Sequence, residues 1–324
     1  MIAKNEELFL ETCLDSIKDS VDEIIVVDTG STDKTKEIAK RFHAKVIDFK
    51  WMDDFSAARN ESLNHATKDW ILALDADEVI EGKDLKKIKD LVRDPQDNVG
   101  FALEQRSYIY KYFEGAVENN LDFYLVKQYP FYIRNCLVRL FKNHLGLHFK
   151  HRVHELIEDS IVEKNFKFKK SEIILHHFGS VKNEANVLGK SEQYSRIILK
   201  QLEECPESDR YNYQAGKMCL GRNDFMGALK FFGKTAKINS NYKLVFSEIG
   251  KIYLQMNDSN RAAEYFKKSM KFNPDNPSPA NNLAVAYMSI GKFDKAKVLL
   301  EEQLRKHPGN KALIYNYKKA LENL

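Results

Sequence analysis

Short apolar runs and amphipathic stripes alternate along the first third of the chain. Glu23-Ile-Ile-Val-Val-Asp28 is a β-branched run bounded by acids, which predicts a buried strand. The turn Thr29-Gly-Ser-Thr-Asp33 follows, and residues 34–42 carry Ile38, Ala39 and Phe42 on one helical face. Residues 44–49 predict the next strand, 56–66 a helix, and Trp70-Ile-Leu-Ala-Leu74 another buried strand. Strands and helices alternating at this spacing predict βαβ units around a mostly parallel sheet. From about 100 to 180 the pattern loosens into aromatic-rich strand pieces at 108–113, 131–133, 138–141 and 173–177.

The second half has a different period. Ala228, Ala262 and Ala296 are spaced by 34 residues, and so are Gly216, Gly250 and Ala284. Cys219, Tyr253 and Tyr287 keep the same spacing, as do Ser240, Pro274 and Pro308. Small residues let paired helices approach closely, and proline falls where one helix has ended and another starts. This register resembles the tetratricopeptide repeat. Three repeats are expected at 207–240, 241–274 and 275–308, with 310–324 as a capping helix. Residues 186–206 read as a helical linker, with 187–203 one long polar helix that Cys205-Pro206 ends.

Composition narrows the function. The 324 residues are 43% hydrophobic and 30% charged, an ordinary globular balance that argues against disorder. Net charge is only +4, from 51 basic and 47 acidic residues, which does not point to nucleic acid as a partner. No apolar run approaches the ~20 residues of a bilayer span. Glu6 and Glu7 stand where a secretory leader would be basic and then apolar. Cys13, Cys136, Cys205 and Cys219 are scattered and form no CxxC, so a reducing cytoplasmic setting is expected.

Three acidic clusters lie at predicted strand ends: Asn5-Glu6-Glu7, the Asp28 to Asp33 turn, and Asp75-Ala-Asp77-Glu78. Ligands of open α/β sheets bind at the carboxyl ends of strands. Each cluster alone has a plainer reading as turn or cap residues, but in βαβ order they predict one acidic, hydroxyl-rich pocket. Such a pocket accepts a diphosphate only through a cation, and hard oxygen ligands suit Mn²⁺ or Mg²⁺. Asp77 would hold that metal against the diphosphate, while Asp28, Ser31, Thr32 and Asp33 offer acceptors and hydroxyls to a base and ribose. No GxxxxGK[ST] or GxGxxG occurs, which excludes the common mono- and dinucleotide loops.

These segments, with Asp-Asp-Phe-Ser-Ala-Ala-Arg-Asn (53–60), together resemble glycosyltransferase family 2. The likeness continues through Leu137-Val-Arg-Leu-Phe-Lys142, Arg152-Val-His-Glu155 and His177-Phe-Gly179. It is greatest to bacterial members with tetratricopeptide repeats behind the transferase, a group that includes peptide S-glycosyltransferases of the bacteriocin-modifying type. The resemblance implies an α/β GT-A domain (Rossmann-like, mostly parallel sheet) over 1–185, followed by an all-α solenoid over 207–324. It implies an inverting transfer from a nucleotide sugar, expected to be a UDP-sugar. It implies that Asp28 contacts the nucleobase, that Asp75 contacts ribose and metal, and that Asp77 and His177 ligate the metal. Asn5, Glu6 and the Ser31-Thr32-Asp33 turn would line the donor site, and Arg59 would face the diphosphate; an ion pair on a helix surface is the plainer reading of Arg59. His176 would point away from the site if the segment is extended. Family members carry several strand residues before the Met-Ile-Ala-Lys-Asn-Glu match, so β-structure at Met1 is expected to be short or to begin upstream.

An inverting transfer needs a base opposite the leaving group. Glu155 is the first candidate, because 147–157 is strand-like and then turns; Glu118 and Asp122 are the alternatives. A helix-terminal acid is the plainer reading of Glu155. His144, His148, His151 and His154 do not form an HExxH zinc motif and read as structural. The solenoid's groove suits a peptide or protein acceptor modified on Cys or Ser/Thr, and a homodimer is compatible with it. The rival readings are a transferase building cell-envelope or lipid-linked glycan, a non-catalytic scaffold with a remnant transferase domain, and a nucleotidyltransferase. The last lacks its usual Gly-rich loop here.

Overall fold

The computed structural model describes residues 1–112, 115–179 and 184–324, apart from the side chains of 184–191. The chain forms two compact units, Met1–Ile197 and Ile198–Leu324.

In the first unit, β1 (Ile2–Ala3), β2 (Ile25–Asp28) and β3 (Lys45–Asp48) make a parallel sheet in that order. The register sets Ala3 opposite Asp28 and Asp28 opposite Asp48, so the strands' carboxyl ends align. Helix α1 (Leu10–Ile17) buries Leu10, Cys13, Leu14 and Ile17, an i, i+3, i+4, i+7 stripe. Helix α2 (Thr35–Arg41) buries Ile38 and Ala39 beside it in the same core. Helix α3 (Phe55–Asn64) starts where Asp54 accepts a hydrogen bond from the Ala57 amide at 3.0 Å, an N-cap of ordinary kind.

The second sheet corrects the expectation of a mostly parallel one. It runs β4 (Trp70–Leu72), β8 (Phe131–Lys142), β6 (Asn98–Ile109), β9 (Lys167–His177), β5 (Glu78–Ile80), with β7 (Val117–Glu118) on β8. Among the described residues only β6–β9 is parallel there, and the other pairs are antiparallel. The apparent fragments at 131–133 and 138–141 are one strand, β8. The piece at 173–177 is the end of β9, and the expected 108–113 overlaps only the end of β6, at Tyr108 and Ile109; Phe113 lies outside the described residues. Each long strand is apolar over only part of its length. The β9 segment Lys167-Phe-Lys-Lys is exposed while Ile173 and Leu175 are fully buried. Mixed patterning of this kind hides a strand's length from a periodicity reading. Helices α4 (Gly82–Arg93) and α5 (Glu158–Glu163) complete the mixed α/β unit, and α6 (Glu184–Glu204) extends beyond Ile197.

The second unit is helical among its described residues. The hairpins are α7 (Asp209–Gly221) with α8 (Phe225–Ile238), α9 (Val245–Gln255) with α10 (Ser259–Phe272), and α11 (Pro277–Ser289) with α12 (Phe293–Lys306). Helix α13 (Lys311–Leu321) follows, capped by Asn310. Ala228, Ala262 and Ala296 are all fully buried, as close helix approach requires. No described helix is long and apolar enough to cross a membrane.

Candidate active site

The loops after β1 and β2 lock each other. The Asn5 amide donates to Ser31 Oγ at 3.0 Å, and Asn5 Oδ1 accepts from the Thr32 amide at 2.8 Å. The Glu6 amide donates to Thr35 Oγ1 at 2.7 Å, and the Glu7 amide to Asp33 Oδ2 at 3.1 Å. Asn5 has φ of 55°, a left-handed conformation that Asn tolerates. The side chains of Asn5, Ser31, Thr32 and Asp33 are thus engaged in building the rim. Asp28 is different. Its Oδ2 accepts from the Gly30 and Ser31 amides at 3.0 and 2.9 Å, while its buried Oδ1 has no partner among the described residues. A buried carboxylate oxygen left without a donor invites one from a ligand.

Residues 53–60 explain themselves through the segment 149–155. The Phe55 amide donates to the Arg152 carbonyl at 2.8 Å, and Arg152 Nη1 donates to Asp54 Oδ2 at 3.3 Å. Asn60 clamps the Phe149 backbone in both directions, at 2.7 and 3.0 Å. These bonds seat a tight turn closed by the Lys150–Leu156 bridge, in which His151 and His154 take positive φ. The turn delivers Glu155 to Arg59, whose Nε donates to Glu155 Oε1 at 2.5 Å. Arg59 Nη2 donates to Asp75 Oδ1 at 2.6 Å, and Arg139 Nη2 donates to Asp75 Oδ2 at 3.1 Å. Arg59 is 7% exposed, so the surface ion pair is replaced by a buried bridge between two carboxylates.

Behind this layer lies Glu78, fully buried, accepting from Gln105 Nε2 at 2.5 Å and from Arg139 Nη2 at 3.2 Å. Burial alone would raise the Asp75 carboxyl; the guanidiniums of Arg59 and Arg139 outweigh it and hold the group well below the usual carboxylate range. Glu78 goes the other way, pushed up by burial and by the charge of Asp75 against the pull of Arg139.

Asp77 and His177 meet on the cleft side. Strand β5 pairs with β9 so that Glu78 opposes His177, which brings the two segments together. His177 Nε2 is 3.6 Å from Asp77 Oδ1, and its Nδ1 is 2.8 Å from Ser107 Oγ. The tautomer donating from Nδ1 to Ser107 leaves the Nε2 lone pair toward Asp77. A Cβ on Gly179 would sit 2.5 Å from His177 Nε2 and 2.9 Å from Asp77 Oδ2, so glycine keeps open a cradle beside an imidazole and a carboxylate. That donor set fits a divalent ion with further ligands supplied by a diphosphate. Among the described residues no group of three or more His, Cys, Asp or Glu converges to hold a metal, since Asp75 is turned to its two arginines. His176 points into the aromatic core, with Nδ1 2.6 Å from Tyr108 Oη, and burial pushes its pKa down to about 4.

The cleft of about 220 Å³ is lined by Glu6, Thr29, Arg59, Asp75, Asp77 and His177, and also by Trp51, Phe55, Gln193 and Tyr194. Asp122 is an exposed partner of Lys127 at 2.5 Å, and neither it nor Glu118 lines the cleft. His148 faces Ser160 and His151 contacts Asp159 at 2.6 Å, away from any zinc-like cluster among the described residues. Arg139, Gln105, Ser107 and Tyr194 were not legible as site residues. Arg139 carried a signal, a charge inside the apolar run 137–141, whereas a serine in β6 or a tyrosine in a polar helix carries none.

Residues 1–152 match the family described as Glycosyl transferase family 2, and residues 253–321 match the Tetratricopeptide repeat. A TPR repeat-containing protein of Synechococcus elongatus is 30% identical over 73% of this chain and 55% of its own length. The SPbeta prophage-derived glycosyltransferase SunS of Bacillus subtilis is 41% identical over 29% of this chain and 22% of its own. The chain thus spans about half of the first relative and about a fifth of the second. Among solved structures, MamA aligns with 43% of this chain and 76% of its own at 17% identity and a TM-score of 0.40.

Proposed function

We propose that this chain, which carries a family 2 glycosyltransferase domain followed by tetratricopeptide repeats, moves a sugar with inversion from a nucleoside diphosphate, a UDP-sugar by preference, to a peptide or protein nucleophile. The observation that carries the reading is the convergence of Asp77, His177, Asp75 and Arg59 on one cleft, with Glu155 held to it through Arg59. Asp28 Oδ1 takes the donor N–H of the base. Asp77 and His177 would hold Mn²⁺ or Mg²⁺, which would supply positive charge where the diphosphate departs. Glu155 accepts the proton of the attacking thiol or hydroxyl. The S–H or O–H bond breaks to Glu155, the new bond to the anomeric carbon forms, and the bond from that carbon to the diphosphate oxygen breaks. Arg59 fixes the Glu155 carboxylate on one side so that its position does not depend on the acceptor. SunS, similar over 95 residues of this chain, is named a glycosyltransferase. The repeats supply a groove of the kind that holds extended peptides.

The test is turnover without acceptor. UDP-, GDP- and TDP-sugars are incubated with Mn²⁺ or Mg²⁺, and released nucleoside diphosphate is assayed. Slow hydrolysis of one donor, abolished by Asp77→Ala and by a chelator, is expected. Failure of every donor to bind in calorimetry would sink the reading.

A further inference from the structure

One wall of the cleft is aromatic, and the reading above gives it no work. Phe55 and Tyr194 meet edge to face with centroids 5.4 Å apart at 88°, and Trp51 meets Phe55 at 4.7 Å and 66°. The rings come from three places: the loop after β3, the first turn of α3, and α6. Each is half-buried and each lines the cleft. They are fixed without a ligand. Trp51 Nε1 donates to Asp53 Oδ1 at 2.9 Å, and Arg196 Nη2 donates to the same oxygen at 2.9 Å, tying the middle of α6, which bears Tyr194, to the loop. The His154 ring lies 6.0 Å from Tyr194.

The position of this wall is set by the chemistry around it. In an inverting transfer the anomeric carbon lies between the leaving diphosphate and the base. Here those are the Asp77–His177 pair and Glu155. Tyr194 lines the same cleft as Asp75, Asp77 and His177 and as Arg59, which holds Glu155. The proposed nucleobase contact, Asp28, is not among the residues that line this cleft, although its neighbour Thr29 is. Pyranose rings present C–H faces that suit the negative face of an aromatic ring, and their hydroxyl edges suit groups such as Gln193 and Glu6, which line the same cleft.

Resting on the transferase reading, we propose that Trp51, Phe55 and Tyr194 form the wall of the subsite that holds the transferred pyranose ring, and that Tyr194 is a sugar-specificity residue. The helix that the sequence presents as a linker then supplies part of the donor site.

The experiment is calorimetry of the full chain with Mn²⁺, comparing UDP, GDP and TDP with their hexose forms. Tyr194→Leu keeps apolar volume and removes the ring. It is expected to weaken the sugar form about tenfold while leaving the bare nucleoside diphosphate within about twofold, and Tyr194→Phe is expected to retain most of the affinity. Trp51→Leu, in another segment, repeats the reading independently of α6. An equal loss for the diphosphate and its sugar form, or no loss for either in both Leu variants, overturns the wall and leaves the transferase reading standing. If the unaltered chain binds neither form of any nucleotide, the transferase reading fails and this inference with it.

Discussion

The guanidinium of Arg59 and the carboxylate of Glu155 meet at 2.5 Å across 96 positions of sequence, in a site where both side chains are nearly buried. The same guanidinium holds Asp75, so one cation serves two acids. Removing the cation strands Glu155 and leaves Asp75 with Arg139 alone. Arg59→Met should destabilise the first unit by about 3 kcal/mol, the cost of an uncompensated buried charge. Asp75 is depressed by the two arginines, so in the unaltered chain its contribution is present above the unfolded carboxyl pKa and is lost only as pH falls through the much lower folded value. In the variant, burial favours the protonated acid. The difference between the two proteins should therefore be largest near neutral pH and shrink toward pH ~4, near the unfolded carboxylate value. Urea unfolding of both at several pH values checks this, and a pH-independent difference would contradict it.

Gly250 faces Phe266 where a Cβ would come within 2.7 Å of Phe266 Cε1, and Gly216 faces Phe232 at 2.5 Å. In the third repeat the same registers hold Ala284 and Leu300, which share one buried cluster. The small residue and its partner have changed together: a smaller ring-free side chain leaves room for a methyl. Gly250→Ala alone should cost about 1–3 kcal/mol through overpacking. In combination with Phe266→Leu the cost should fall well below the sum of the two single changes. A double-mutant cycle by urea denaturation measures the coupling, and simple additivity would refute the pairing.

Asp224 and Asp258 cap α8 and α10 by accepting from the Gly227 and Arg261 amides at 2.9 and 3.0 Å. The corresponding residue before α12 is Lys292, with φ −92° and ψ 57° against −97° and 70° at Asp258, and it makes no side-chain cap. The backbone is ready for a cap that the side chain does not provide. Lys292→Asp should stabilise the second unit by about 1 kcal/mol. Thermal unfolding with Lys292→Ala as the control separates the cap from the mere loss of a cation.

The features legible in the sequence are those carried by local period or local charge. The parallel strand at residues 25–28 is a continuous β-branched run, and the repeats announce themselves through Gly216, Ala228 and their successors. The stripe of Leu10, Leu14 and Ile17 is equally local and gives α1. The antiparallel half was hidden because β9 runs from exposed charge into core, β8 is exposed in its middle and β6 is buried on both faces with polar residues among the apolar ones, so no single period describes them. Within the site, Asp28, Asp77 and His177 stood at strand ends. The commitment of Asp75 to Arg59 and Arg139 could not be read locally, because it joins positions 16 and 64 residues apart.

His177 is aimed by a hydroxyl, and this gives the metal reading a test independent of turnover. Ser107 Oγ lies 2.8 Å from Nδ1 and faces Nε2 toward Asp77, while Gly179 leaves the space beside both. Without Ser107 the ring can rotate or change tautomer, and a ligand histidine that loses such a partner typically gives up ten- to a hundredfold in metal affinity, as a rough range. Ser107→Ala should therefore weaken Mn²⁺ binding in the presence of nucleoside diphosphate by about tenfold or more, and Ser107→Thr should restore it. Gly179→Ala should act more severely, since its methyl would occupy the cradle itself at 2.5 Å from Nε2. Mn²⁺ titration followed by electron paramagnetic resonance reads the affinity directly, with far-ultraviolet circular dichroism confirming the fold of each variant. Unchanged Mn²⁺ affinity in folded Gly179→Ala would place the metal away from Asp77 and His177.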